Sequence, residues 1–179
     1  MSDQPRLPAP SLGDLGLFNW VFCKVASWRL GVENMHLFAT LGQHKRLLKA
    51  WLPFGGVLLR GKLPKRDTEL VILRVAHLRE SEYELQHHRR IARTVGLDDA
   101  VQDAIFAGPD ADGLTERQRV LLTATDELVH TRTLSDATWA RLSEQLDRAR
   151  LIEFVTLAGQ YDALAATLSA LRVPLDYPE

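Results

Sequence analysis

Apolar residues along this chain recur with a helical period from end to end. Leu15, Phe18, Val21, Phe22, Val25 and Trp28 return every three or four positions, which predicts a helix over 15–28 with Gly31 as its stop. Helices are expected over 34–41 and 44–59, the second kinked or broken around Pro53-Phe54-Gly55-Gly56. After the turn 62–67, a helix over 66–78 carries Leu70, Val71, Ile72, Leu73, Val75, Ala76 and Leu78 and keeps no broad polar face, the mark of a helix at the centre of a core. Glu69, in its first turn, is therefore expected to be partly buried. A helix over 82–95 stops at Gly96, and Asp98 caps a short one that ends before Gly108. Thr115 and Gln118 form a capping box for a helix to about His130, Ser135 opens another to Leu146, and Asp147 opens the last, to about Leu171. The pattern predicts an all-α protein: a loose leader over 1–12, one helical domain over 13–172, and an irregular tail over 173–179.

Composition narrows the partners. At 179 residues and 46% hydrophobic, the chain can bury one sizeable core. Its formal charge of −1, with Lys and Arg scattered, offers no polyanion-binding face, so nucleic acid is not an expected partner. The single Cys23 excludes an intrachain disulfide framework or a multi-thiolate metal site and suits a reducing cytoplasm. No segment reaches the roughly 18 uncharged apolar residues of a membrane helix, and the leader has no apolar signal core, so a cytoplasmic protein without a membrane partner is expected. For Phe18, Trp20, Phe22 and Trp28, core packing is the common fate and a subunit interface the alternative.

The chemistry concentrates in Ser81-Glu82-Tyr83-Glu84-Leu85-Gln86-His87-His88. Projected as a helix, Leu85, Ile91, Ala92 and Val95 share one arc, with His88 near its middle and Glu84 one turn earlier. His87 falls at the arc's edge, and Arg89, Arg90 and Arg93 face away. A histidine between Glu84 and a core helix carrying Glu69 is an arrangement that tunes imidazole for proton transfer near neutral pH. The plain alternative is a satisfied core histidine. Ser81-x-x-Glu84 also reads as a capping box, which would turn Glu84 back toward Ser81.

Glu69, Ser81, Glu84 and His88 stand at offsets 0, 12, 15 and 19, which resembles the Glu, Cys, Cys and His spacing of the alkylhydroperoxidase D proteins. Ser-Glu-Tyr-Glu followed by His is more similar to the carboxymuconolactone decarboxylase branch of that superfamily, and the likeness runs from about Leu52 to Gly108. Asp126-Glu127-Leu128, Ser135 to Trp139 and Gly159-Gln160-Tyr161 look like its longer members. The resemblance implies an alkylhydroperoxidase D-like helical domain, here behind an N-terminal helical extension of some 60 residues, and a homo-oligomer. It also implies lyase or decarboxylase chemistry on a small carboxylated or carbonyl substrate, without a cofactor. The thiol peroxidase route is disfavoured, since Ser81 cannot form a sulfenic acid and Glu84 cannot resolve one. The departures, Ser81 for Cys and Leu85 for Trp, leave the substrate open.

On this reading His88 is the general acid/base, with Glu69 or Glu84 orienting it. Ser81, at a helix N-terminus, and Tyr83 are candidates to touch substrate, as are Arg74, His77, Gln160 and Tyr161. A buried ion pair for Arg74 and core hydrogen bonding for Gln160 and Tyr161 are the competing readings. No metal is called for. The rival metal reading takes Glu84 with His87 and Glu127 with His130 as two Glu-x-x-His pairs of a di-iron bundle, with Glu69 and Glu153 as further ligands. A second rival is a catalytically inactive ligand-binding or assembly module on the same fold.

Overall fold

The computed structural model describes residues 4–177; the first three residues of the expected leader and the last two of the expected tail lie outside the described residues. Among the described residues every regular element is a helix: α1 (Leu12–Leu30), α2 (His36–Gly42), α3 (Lys45–Leu59), α4 (Lys65–Leu78), α5 (Glu82–Thr94), α6 (Asp99–Ala107), α7 (Glu116–Thr131), α8 (Asp136–Gln145) and α9 (Arg148–Leu171). The chain forms two compact units, one over Leu58–Ala166 and one made of the residues before and after that stretch.

Helix ends fall where local hydrogen bonding stops them. The Thr115–Gln118 capping box opens α7, and the Asp98 and Ser135 side chains accept from the amides of Val101 and Thr138 at the starts of α6 and α8. Asp147 does the same for Arg150 ahead of α9. Gly31 closes α1 at φ 67°, a left-handed conformation that glycine adopts without a Cβ clash. The expected break in α3 does not occur. Pro53 lies inside one continuous helix, where it has no N–H to donate to the Lys49 carbonyl.

In the unit made of the chain's two ends, α1 packs against α2 with an inverted face. The residues it buries are Leu15, Asn19, Cys23 and Ser27, four apart, while Leu17 is 72% exposed, Phe18 57% and Trp28 79%. Core packing of the Phe18 and Trp28 stripe is therefore corrected: the small and polar stripe faces in. Asn19 explains part of this, since its Nδ2 donates to the Gly42 carbonyl at 3.0 Å, a bond no apolar residue could make. Part of the leader is also tied down, with the Arg6 amide donating to the Leu171 carbonyl at 3.2 Å.

In the other unit, α4 packs against α5, α6 and α7, and Leu70 to Leu73, Val75 and Ala76 have no exposed surface. Burial on every side is why its sequence shows no polar stripe. Arg74 is the exception that the helix must accommodate. Its guanidinium pairs with Asp126 of α7 through Nε at 2.6 Å and Nη2 at 2.7 Å, and Nη1 donates to the carbonyls of Ile105 and Phe106 at the end of α6. Gly108 follows with φ 117°, where a Cβ would lie 3.3 Å from Nη2. Replacing Arg74 with Ala strands Asp126 and two carbonyls, so the urea midpoint is expected to fall by the equivalent of about 3–5 kcal/mol. A cost under about 1 kcal/mol would show that this pair does not hold α4 to α6 and α7.

Candidate functional site

Glu80, at φ 52°, reverses the chain between α4 and α5, and the Ser81 amide donates back to the Ala76 carbonyl at 2.8 Å. The two helices return antiparallel, so Glu69 near the start of α4 comes level with His88 beyond the middle of α5. Glu69 Oε2 lies 2.7 Å from His88 Nδ1, both side chains nearly buried. On the ring's far side Tyr161 of α9 places its hydroxyl 3.3 Å from Nε2, and the two rings meet edge to face at 5.2 Å. A carboxylate at Nδ1 fixes the proton there and leaves Nε2 as the acceptor for the phenol.

Glu84 stands one turn before His88 and is only 2% exposed, with no hydrogen-bond partner for either carboxylate oxygen. Burial pushes its carboxyl up to about 7. The nearby Ser81 hydroxyl and His88 ring draw it back, and the Asp162 charge pushes it further up. Ser81 is close enough for that influence but not in hydrogen-bonding geometry, so the expected capping box does not form and Glu84 turns inward. Tyr161 is also held well above the ordinary phenol value, first by burial and then by the charges of Glu69 and Glu84. It stays a protonated donor across the physiological range.

The inward face of α5 differs from the expected arc. Tyr83, Glu84, His87, His88 and Ala92 are buried, whereas Leu85 and Val95 are half-buried and Ile91 is exposed. His87 is thus buried as fully as His88, its ring 5.0 Å from Tyr83. Hydrophobicity does not choose this face; the polar groups that the neighbouring helices supply do.

Of the nominated residues, the structure joins Glu69, His88 and Tyr161 directly, with Glu84 and Ser81 beside them. Arg74 and His77 are turned elsewhere: Arg74 to Asp126 and α6, and His77 onto the Phe106 ring at 4.9 Å. Burial and the Arg74 charge lower the His77 imidazole, which suits it poorly to hold a substrate acid. Gln160, half-buried, takes part in none of the bonds around His88. The di-iron set does not assemble. Glu127 accepts from Ser135 and Thr138 at the start of α8, which lowers its carboxyl, and His130 is bonded to the Asp126 carbonyl. Glu153 accepts from the amides of Lys62 and Leu63. Among the described residues no group of three or more His, Cys, Asp or Glu is placed to hold a metal ion.

Asp162 was not legible as a site residue. It lies buried beside Tyr161, held by Arg79 from the end of α4 and Arg132 from the end of α7, and Arg79 also donates to the Val129 carbonyl. The available signal was an acid on the buried period of α9, among Phe154, Ala158, Tyr161 and Ala165. Cys23 belongs to the other unit, and burial pushes its thiol up to about 11. It is a poor nucleophile at neutral pH.

The helical scaffold that holds this histidine between carboxylates has an alkylhydroperoxidase D-like fold. The chain is similar to the alkylhydroperoxidase AhpD core, an uncharacterized peroxidase-related protein from Ralstonia eutropha JMP134. The TM-score is 0.83 at 17% identity, over 96% of this chain and 92% of that one. An uncharacterized peroxidase-related protein from Silicibacter sp. TM1040 gives 0.81 at 17% identity over 95% and 91%. A protein of unknown function from Agrobacterium tumefaciens gives 0.66 at 16% identity over 73% and 90%. At these identities the likeness is one of fold. Residues 45–127 match the carboxymuconolactone decarboxylase family. No curated protein matches this chain.

Glu84 carries a pH signature of its own. Its folded value of about 7 exceeds the ordinary 4.5, so between those values the folded protein holds a proton that the unfolded chain has released. Stability from this group is complete below about pH 4.5 and is lost as pH rises through 7. The shift corresponds to about 3 kcal/mol. Glu84→Gln, neutral throughout, is expected to flatten that part of the decline in urea midpoint between pH 5 and 8; an unchanged slope would show that Glu84 is not desolvated.

Proposed function

We propose that the His88 site carries out cofactor-free general acid/base chemistry, of the lyase or decarboxylase kind, on a small carboxylated or carbonyl-bearing substrate. The observation that carries this reading is the hydrogen-bonded line Glu69–His88–Tyr161, with a second, protonatable carboxyl on the preceding turn of α5. Two titratable groups held in opposite roles on one face supply a base and an acid at the same pH.

His88 Nε2 takes the proton from the substrate, and Glu69 at Nδ1 balances the imidazolium that results. The Tyr161 hydroxyl, at 3.3 Å, is bound loosely enough for a substrate atom to replace it at Nε2. Protonated Glu84 donates to the oxygen on which charge accumulates as the carbon–carbon or lactone bond breaks, and the proton on His88 is returned to the product. Two of the structural neighbours are described as peroxidase-related, but Ser81 and Glu84 hold the positions where a thiol pair would stand. That substitution favours acid/base chemistry over thiol oxidation.

The test is turnover across lactone acids, β-keto acids and peroxides, with ligand binding measured in parallel. His88→Ala is expected to lose at least 100-fold in kcat/KM and Glu69→Gln about 10- to 100-fold, while both still bind substrate. For the wild type kcat/KM should fall above about pH 7 as Glu84 ionises, a limb that Glu84→Gln lacks. Binding without turnover in wild type and His88→Ala alike would overturn the enzymatic reading in favour of a ligand-binding module.

A further inference from the structure

We propose that the cavity in the unit formed by the chain's two ends is a binding site for a small apolar anion, a medium-chain or arylalkyl carboxylate. The cavity encloses 370 Å³ and is bounded by α1, α2, the stretch from Pro5 to Pro10 and the chain from Leu171 to Pro174. That size is within the range of small-molecule sites.

The inverted face of α1 creates this space. Cys23 and Ser27 of α1, with Ala39 of α2, line it, while the large side chains Leu17, Phe18, Val21, Val25 and Trp28 of the same helix point outward. Interiors are ordinarily close-packed, and a modest rotation of α1 would bring large apolar groups inward to fill the gap. Small residues hold it open instead. Trp20 and Met35 add a flat and an adaptable apolar wall, and four prolines bring ring surfaces with no N–H to satisfy.

Charge selects the head group. Among the described residues the ionisable ones of the lining besides Cys23 are Lys24, His36 and Arg172, none of them acidic. Asp176 is engaged with His36: it accepts from the His36 amide at 2.9 Å and lies 2.7 Å from Nδ1. Nε2 is left as the ring nitrogen for a ligand. Lys24 lines the cavity and is exposed to solvent. An apolar interior beneath a basic rim matches a carboxylate with an apolar tail better than a neutral or cationic molecule.

Cys23 lines the cavity and is the chain's single cysteine, so it reports occupancy. In the full chain, alkylation of Cys23 by N-ethylmaleimide, followed by mass spectrometry, should slow at least tenfold when octanoate saturates the site. Octan-1-ol should protect more weakly. Lys24→Ala with Arg172→Ala is expected to weaken octanoate protection tenfold or more while leaving that by octan-1-ol unchanged, and Ala39→Phe, checked for an unaltered melting temperature, should abolish both. Lys24→Ala alone, at an exposed position, gives the same reading of charge should the bulkier variant unfold. Equal protection by acid and alcohol, no protection by millimolar octanoate, or protection that grows with protein concentration alone would overturn the proposal, the last by assigning the cavity to a second copy of the chain.

Discussion

Burial of polar side chains along α5 is the constraint on which the site depends. Tyr83, Glu84, His87 and His88 are taken from water on one helical face, and such groups are tolerated only where partners replace the solvent. Glu69 and Tyr161 supply them for His88. Glu84 receives none for its carboxylate oxygens, and the consequence is chemical: a carboxyl that keeps its proton up to about neutral pH beside a histidine already committed at Nδ1. The same desolvation that costs stability gives the site its acid.

The helix α4 makes that burial consistent. Its apolar residues fill the middle of the unit, and its three buried charged side chains, Asp67, Glu69 and Arg74, face different neighbours, Asp67 pairing with Arg117 of α7. Glu69 meets α5, while Arg74 fastens α4 to α6 and α7 through Asp126 and two backbone carbonyls. At the helix end Arg79 reaches Asp162 on α9, the residue after Tyr161. One helix thus carries the histidine's carboxylate partner and helps fix the helix that carries its phenol.

Element boundaries were legible because caps are local. Asp98, Thr115, Ser135 and Asp147 each act within four residues of themselves, and Gly31 and Gly96 end helices by their own backbone geometry, whereas the Ser11 cap of α1 lay in the stretch read as a loose leader. The Glu69–His88 pairing was legible too, from a core helix followed by a short turn and a helix with His88 on its inner side. What was not legible depends on residues far along the chain. The arc of Leu85, Ile91 and Val95 looked like the inner face of α5 until Glu69 and Tyr161 rotated the polar side inward, and α1 turned Asn19, Cys23 and Ser27 inward against its own hydrophobic stripe. Arg74 read equally as an anion holder or an ion-pair partner, and only the position of Asp126 decides it. Asp162 drew no attention because Arg79 and Arg132 are 83 and 30 residues away.

The central claim is that one imidazole is fixed by a carboxylate at Nδ1 and presents Nε2 to a phenol. Nitrogen-15 NMR of the histidine side chains tests it without reference to any substrate. The account predicts a single His88 tautomer with its proton on Nδ1, a strongly downfield Nδ1 proton, and loss of that resonance in Glu69→Gln. Averaged nitrogen shifts like those of a solvent-exposed histidine, or a proton resident on Nε2 in the neutral ring, would contradict it.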